Sequence, residues 1–127
     1  MLEVEVVGEL PVMLSPVEVE RLADLAVASA GIADGHLAVQ FVGAAEIATL
    51  NRDHRGKPGP TDVLSFPIDG AAAATAGPRE LGDVVICPEH TADLREAVVH
   101  GVLHLLGMDH ERDEGEMLAL QRELLSW

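Results

Sequence analysis

The order of strand-like and helix-like patterns along this chain restricts its fold more than any other sequence feature. Alternating apolar and polar residues, or brief apolar runs between turn residues, predict four strands over about 2–7, 37–41, 63–68 and 84–87. Apolar residues at helical spacing predict four helices over about 16–30, 44–51, 92–106 and 113–125. This order predicts an α+β fold in which helices pack on a small mixed sheet of about four strands.

A length of 127 residues suits one hydrophobic core, so residues 1–127 are expected to form a single domain. The single cysteine, Cys87, cannot form an internal disulfide, which favours a reducing compartment such as the cytoplasm. The first residues lack the basic start and apolar run of a signal peptide. No stretch approaches the roughly 20 apolar residues that span a bilayer, so no membrane association is expected.

The charge of the chain argues against a general affinity for nucleic acid. Its 22 acidic and 8 basic residues give a formal net charge of -14, so the molecule as a whole should repel RNA. Three of the eight basic residues, Arg52, Arg55 and Lys57, nevertheless fall in one short stretch on or beside a Gly- and Pro-rich loop. Any contact with phosphate is expected there.

Three histidines near the end of the third predicted helix have the spacing of metal ligands. His100 and His104 are four residues apart and therefore lie on one face of a helix. Gly107 can adopt the left-handed conformation that ends a helix, which would turn the chain back so that His110 supplies a third nitrogen. Three protein ligands leave one position on a tetrahedral Zn²⁺ for water, as in catalytic sites.

A single helical histidine is usually a packed or surface residue, but three at ligand spacing around a helix-ending glycine favour a metal site. One Zn²⁺ per chain is expected, although imidazole also suits Ni²⁺, Fe²⁺ and Co²⁺. The other histidines, His36, His54 and His90, are expected to be solvated or structural.

The spacing of these histidines and Gly107 equals that of the metzincin metalloproteases. Those enzymes carry a glutamate general base directly after the first histidine, where this chain has Gly101. Glu96, one helical turn before His100, could replace that base, but a solvated role or a hydrogen bond to a ligand histidine is favoured. Peptide hydrolysis by the metzincin route is therefore disfavoured.

Three sequence blocks carry a resemblance to a known family. They are LNR with TDVLSFP at 50–52 and 61–67, LGDVVI at 81–86, and HGVLHLLGMDH at 100–110. With these blocks in this order, the chain resembles the YbeY endoribonucleases, which act in bacterial ribosomal RNA maturation. The resemblance implies a single-strand-directed, zinc-dependent endoribonuclease that acts in ribosomal RNA processing and ribosome quality control. Its expected partners are ribosomal RNA as the substrate and ribosomal or ribosome-associated proteins.

The resemblance also implies roles for individual residues. It assigns zinc binding to His100, His104 and His110, and it makes Arg55 the functional arginine. A planar guanidinium can hold a phosphate through two hydrogen bonds and stabilise charge that develops during cleavage. Three further residues are weaker assignments: Lys57, Asp62 and Asp83. Asp109 could accept a hydrogen bond from a metal-bound imidazole or could cap the turn, and the sequence leaves both open.

The chain departs from the family in two features that bear on substrate binding. The segment between Ile86 and His100 is shorter than in the family, which could reshape one wall of the cleft. The aromatic residues are only Phe41, Phe66 and Trp127, which favours RNA binding through phosphate, metal and shape over base stacking.

Two other functions fit parts of the sequence. A metalloprotease or other amide hydrolase would account for the metzincin-like spacing. A non-catalytic ribosome assembly factor with a structural zinc would account for the charge, since an acidic surface could meet a basic ribosomal protein.

Overall fold

A computed structural model describes residues 2–11, 14–32, 34–68, 80–108 and 115–126. Its strands are β1 Leu2–Val7, β2 Gly35–Phe41, β3 Val63–Pro67 and β4 Glu80–Ile86. Its helices are α1 Pro16–Ser29, α2 Ala44–Arg55, α3 Leu94–Leu105 and α4 Glu116–Leu125, and a short 3₁₀ turn spans Pro88–His90. The predicted order of elements and the α+β class are confirmed. The predicted start of the last helix at 113 lies outside the described residues.

The four strands form one mixed sheet in the order β1-β2-β4-β3. β1 and β2, and β2 and β4, pair in parallel, whereas β3 pairs antiparallel with β4. β3 is therefore an edge strand among the described residues. None of the described helices combines the length and apolar character that crossing a membrane requires.

Two boundaries differ from the sequence-based expectation by four residues. β4 begins at Glu80 instead of 84. Residues 80–83 form no apolar run, but the strand includes them because this segment pairs with β2 and β3. α2 continues to Arg55, four residues beyond its predicted end, and Gly56 ends it in the left-handed conformation with φ 68°. Arg52 and Arg55 therefore lie on a helix, and only Lys57 follows it.

The larger part of the core lies between one face of the sheet and the helices α1, α3 and α4. α2 covers part of the opposite face, where Ile47 packs with Leu64, Val85 and Cys87 in a second buried cluster. Ser15 caps α1 as predicted, since its Oγ accepts a hydrogen bond from the Glu18 amide at 3.2 Å. The Glu18 carboxylate accepts hydrogen bonds from Arg21 and, at 3.2 Å, from Arg95, which links α1 to α3.

α3 lies unusually close to the sheet at Gly101. A Cβ atom at this position would lie 2.4 Å from Val84 Cγ1 and 3.1 Å from Val63 Cγ2, so a side chain does not fit without movement. The Ser65 hydroxyl donates a hydrogen bond of 2.8 Å to the Gly101 carbonyl. The glycine is therefore explained by the close approach of the helix to β3 and β4, which sets the height of α3 above the sheet edge.

Beyond the part that α2 covers, the opposite sheet face carries several acidic side chains among the described residues. His36 Nδ1 lies 2.7 Å from Glu80 Oε1, and His36 Nε2 lies 3.5 Å from Glu5 Oε2. The hydrogen bond with Glu80, with charge attraction to Glu80 and Glu5, raises the pKa of His36 above its usual value. Desolvation and the nearby Glu80 carboxylate raise the pKa of Asp83, which lies on the same face.

Replacing Gly101 with alanine should destabilise the fold. We expect Gly101→Ala to lower the free energy of unfolding by about 1–2 kcal/mol, because overpacking outweighs the gain in helix propensity. Urea unfolding measures this change. In a Val84→Ala background the same substitution should cost clearly less, because the clashing methyl group is absent. An equal cost in both backgrounds would contradict this explanation of the glycine.

The contribution of His36 to stability should depend on pH. Because folding raises its pKa, the stabilisation is fully present below the unfolded value of about 6.5 and is lost as the pH rises through the folded value. Urea unfolding from pH 6 to pH 9 should therefore show that His36→Gln costs most at the acidic end and progressively less towards the alkaline end. A cost that is constant over this range would show that protonated His36 does not stabilise the sheet.

Candidate functional site

A cleft of about 690 Å³ runs along β3, between the end of α2 and the second half of α3. This volume lies in the usual range for a ligand site. The side chains in its wall that can carry chemistry are His54, Arg55, Asp62, Ser65, His100 and His104. Residues from the first and third sequence blocks therefore meet with the end of α2 in one place.

His100 and His104 converge as expected from their helical spacing. Their Nε2 atoms lie 3.1 Å apart, and their rings are inclined at 76° with centroids 4.6 Å apart. Two imidazole nitrogens bound to one tetrahedral zinc ion at about 2.0–2.1 Å lie about 3.3 Å from each other. The observed separation fits two ligands of a single ion, so these donor atoms suit the metal that the sequence predicts.

The remaining members of the predicted metal site are only partly described. Gly107 ends the segment with φ 94°, and its amide donates to the His104 carbonyl at 3.0 Å, which confirms the predicted turn. His110 and Asp109 lie outside the described residues. Within the described residues no third histidine, cysteine, aspartate or glutamate completes a metal-binding group. The role of His110 therefore stays a prediction.

Gln121 on α4 orients one of the two histidines. Its Oε1 atom lies 2.8 Å from His100 Nδ1, and the residue is only 7% exposed. A carbonyl oxygen only accepts, so Nδ1 of His100 carries the proton in this bond. The lone pair of the neutral ring is then on Nε2, the atom that faces His104.

Sequence reasoning missed Gln121, although a signal was present. Met117, Gln121 and Leu124 are the buried residues of α4, so the glutamine occupies the apolar stripe of an amphipathic helix. A polar residue in such a stripe requires a hydrogen-bond partner in the interior. The sequence did not indicate which residue that partner is.

Arg55 lies at the last position of α2 and reaches the cleft. Its side chain is exposed and forms no ion pair with any residue in the described part of the chain. By contrast, Arg52 pairs with Asp53 at 3.3 Å. The Arg55 guanidinium is therefore available to an anionic ligand in the cleft.

Three other predicted residues do not line the cleft. Lys57 is exposed beyond the end of α2, and Glu96 is exposed in the first turn of α3. Asp83 pairs across the strands with Phe66 and shares the electrostatic environment of Glu80 and His36, so it lies on the face opposite α3. The structure therefore brings Arg55 to the histidines but not Lys57, Glu96 or Asp83.

Asp62 and His54 also line the cleft. Asp62 lines the cleft, and its Oδ1 accepts a hydrogen bond of 2.8 Å from the Val63 amide at the start of β3. His54, expected to be solvated or structural, is exposed but also forms part of the cleft wall. One of the three histidines that were expected to be solvated or structural therefore lines the candidate site.

Comparison with known proteins supports the resemblance. A family described as Endoribonuclease YbeY matches residues 16–127. Proteins named Endoribonuclease YbeY from Beutenbergia cavernae and Thermobifida fusca are 39% and 43% identical to this chain. These two alignments cover 95% and 87% of this chain and 93% and 86% of the relatives. A relative of the same name from Mycolicibacterium vanbaalenii is 43% identical over 70% of this chain and 59% of its own length.

The fold is similar to that of a solved structure. The solution structure of TM1509 from Thermotoga maritima matches with a TM-score of 0.60 and 27% identity, covering 97% of this chain and 87% of that protein. The similarity extends over almost all of the chain, well beyond the histidine block. Together with the paired imidazoles and the arginine in one cleft, these matches show that the chain belongs to the YbeY family.

Proposed function

We propose that this chain is an endoribonuclease that cuts single-stranded ribosomal RNA during ribosomal RNA processing and ribosome quality control. One observation carries the proposal: two imidazoles with Nε2 atoms 3.1 Å apart share a cleft with an arginine that has no ion pair in the described part of the chain. The name Endoribonuclease YbeY of relatives that match most of the chain supports it.

For the cofactor we propose one Zn²⁺ per chain, held by His100, His104 and His110. The separation of the two Nε2 atoms and the tautomer that Gln121 selects support this assignment. When bound, such an ion supplies Lewis acidity towards a phosphoryl oxygen or an attacking water. Imidazole also binds Ni²⁺, Fe²⁺ and Co²⁺, so metal analysis must identify the ion.

Arg55 is proposed to bind the scissile phosphate. The guanidinium is always charged and can donate two parallel hydrogen bonds to phosphate oxygens. Its position in the cleft wall, with no carboxylate partner in the described residues, leaves those donors available. Arg55 would thus hold the phosphate and stabilise the extra negative charge that develops during cleavage.

The packing around Gly101 disfavours amide hydrolysis relative to RNA cleavage. The position that holds the metzincin base is occupied by Gly101, which is buried with no space for a Cβ atom beside Val84. A glutamate there would place a carboxylate among apolar side chains, at a large desolvation cost. The metzincin-like spacing therefore lacks the base that peptide hydrolysis by that route uses.

A protein partner is a second element of the proposal. Glu5, Glu80 and Asp83 lie on the sheet face away from the histidines, and this acidic face supports docking of a basic ribosomal protein. Such a partner would bring an acidic enzyme to RNA.

We propose the cytoplasm as the compartment, because ribosomal RNA and reduced Cys87 both fit there.

Metal content and RNA cleavage test the central proposal together. Wild-type protein should contain about one metal ion per chain and cleave single-stranded RNA, and His104→Ala should lose both. Arg55→Glu should retain the metal but lose at least about 100-fold in cleavage rate. Arg52→Glu is the matched control, since it makes the same charge change on the same helix outside the cleft. Metal without cleavage in the wild-type protein would favour the non-catalytic assembly factor.

The role of Gln121 can be tested without measuring activity. Gln121→Leu should weaken zinc binding by about 10- to 100-fold, because Nδ1 of His100 loses its acceptor. Gln121→Glu should retain tight binding, since a carboxylate oxygen accepts the same hydrogen bond. Competition with a chromophoric chelator measures both affinities. Equal affinities of the leucine variant and the wild-type protein would show that Gln121 does not orient the ligand.

A further inference from the structure

His54, which lines the cleft, forms an aromatic pair with Phe66 of β3. Their ring centroids lie 4.3 Å apart with an angle of 46° between the planes. Phe66 is half-buried and packs against the second buried cluster, whereas His54 is exposed and lines the cleft. One side of the imidazole is therefore in contact with a fixed ring, and the side chain remains accessible from the cleft.

The elements that carry these two rings hold them in place before any ligand binds. His54 lies in the last turn of α2, and Phe66 lies in β3, paired across the sheet with Asp83. Little side-chain freedom is then lost when a planar ligand stacks on His54, and this favours binding. The other described aromatic residue, Phe41, is 6% exposed and belongs to the core.

A charged donor for the ligand backbone is adjacent to this pair. Arg55 follows His54 directly in sequence and lines the same cleft, as do His100 and His104. Proteins that bind single-stranded RNA combine cationic side chains for the phosphates with planar side chains on which unstacked bases stack. A duplex keeps its bases stacked on one another, so only a single strand can use both features.

We infer that His54, supported by Phe66, is a stacking site for one unpaired nucleobase next to the phosphate that Arg55 binds. This inference rests on the proposed function and deepens it, because it gives a structural basis for acting on single strands. It also revises the expectation that binding through phosphate, metal and shape is favoured over base stacking. Base stacking enters through a histidine, which a count of phenylalanine, tryptophan and tyrosine does not include.

Binding of a short single-stranded 2′-O-methyl RNA oligonucleotide, whose intactness after the measurement is checked on a gel, tests the site by fluorescence anisotropy with the metal-loaded protein. His54→Ala should weaken binding by about 5- to 100-fold, the usual effect of losing one stacked base. His54→Tyr should restore binding, because it supplies a planar ring. His90→Ala is the matched control, since His90 is exposed and does not line the cleft.

A series of oligonucleotides, each with one abasic position, tests the same contact from the side of the RNA. Wild-type protein should lose affinity when one particular base is missing, by about the same factor as His54→Ala loses. His54→Ala should be insensitive to that abasic position, since the contact is already absent. This coupling separates stacking from any general effect of the substitution on the fold.

The outcomes separate this inference from the proposed function. If Arg55→Glu weakens RNA binding while His54→Ala and every abasic position leave it unchanged, stacking is overturned and the nuclease proposal stands. If wild-type protein neither binds nor cleaves single-stranded RNA, the proposed function fails and the stacking site fails with it.

Discussion

The close contact between α3 and the sheet at Gly101 is the constraint on which the site depends. With no side chain at this position, the helix backbone lies against Val84 and Val63, and Ser65 donates a hydrogen bond to the Gly101 carbonyl. The contact fixes the height and rotation of α3 relative to the edge strand β3. His100 and His104 lie on the neighbouring face of the same helix and are thereby presented along that edge.

The packing of α3 on the sheet also shows that the spacing of the histidines does not by itself decide which reaction the site can catalyse. The histidine spacing alone fits both a protease-like and a nuclease-like site, but the position of the metzincin base is buried against the sheet. One of the histidines is oriented by another helix, because the buried Gln121 of α4 accepts a hydrogen bond from His100. The polar groups around the two imidazoles are therefore contributed by α2, by α4 and by the segment that contains β3.

The net charge of -14 and an RNA substrate are compatible because the charges are unevenly placed. Glu5, Glu80 and Asp83 lie on the sheet face away from the histidines, whereas Arg55 lies in the cleft wall. Charges separated by more than a Debye length of about 8 Å are largely screened at physiological ionic strength. Phosphate binding therefore depends more on the charges nearest the phosphate than on the net charge of the chain.

The sequence by itself determined the features that depend on residues a few positions apart. These are the order of strands and helices, the Ser15 cap, the turn at Gly107 and the pairing of His100 with His104, since one helical turn brings such neighbours together. Tertiary structure alone decided the contacts between distant segments. Gln121 reaches His100 across 21 positions, Ser65 reaches Gly101 across 36, and His54 meets Phe66 across the gap between α2 and β3. It also placed Asp83 on the far face of the sheet and extended β4 to Glu80. Local patterns do not encode these contacts, because they depend on which elements pack side by side and in which register.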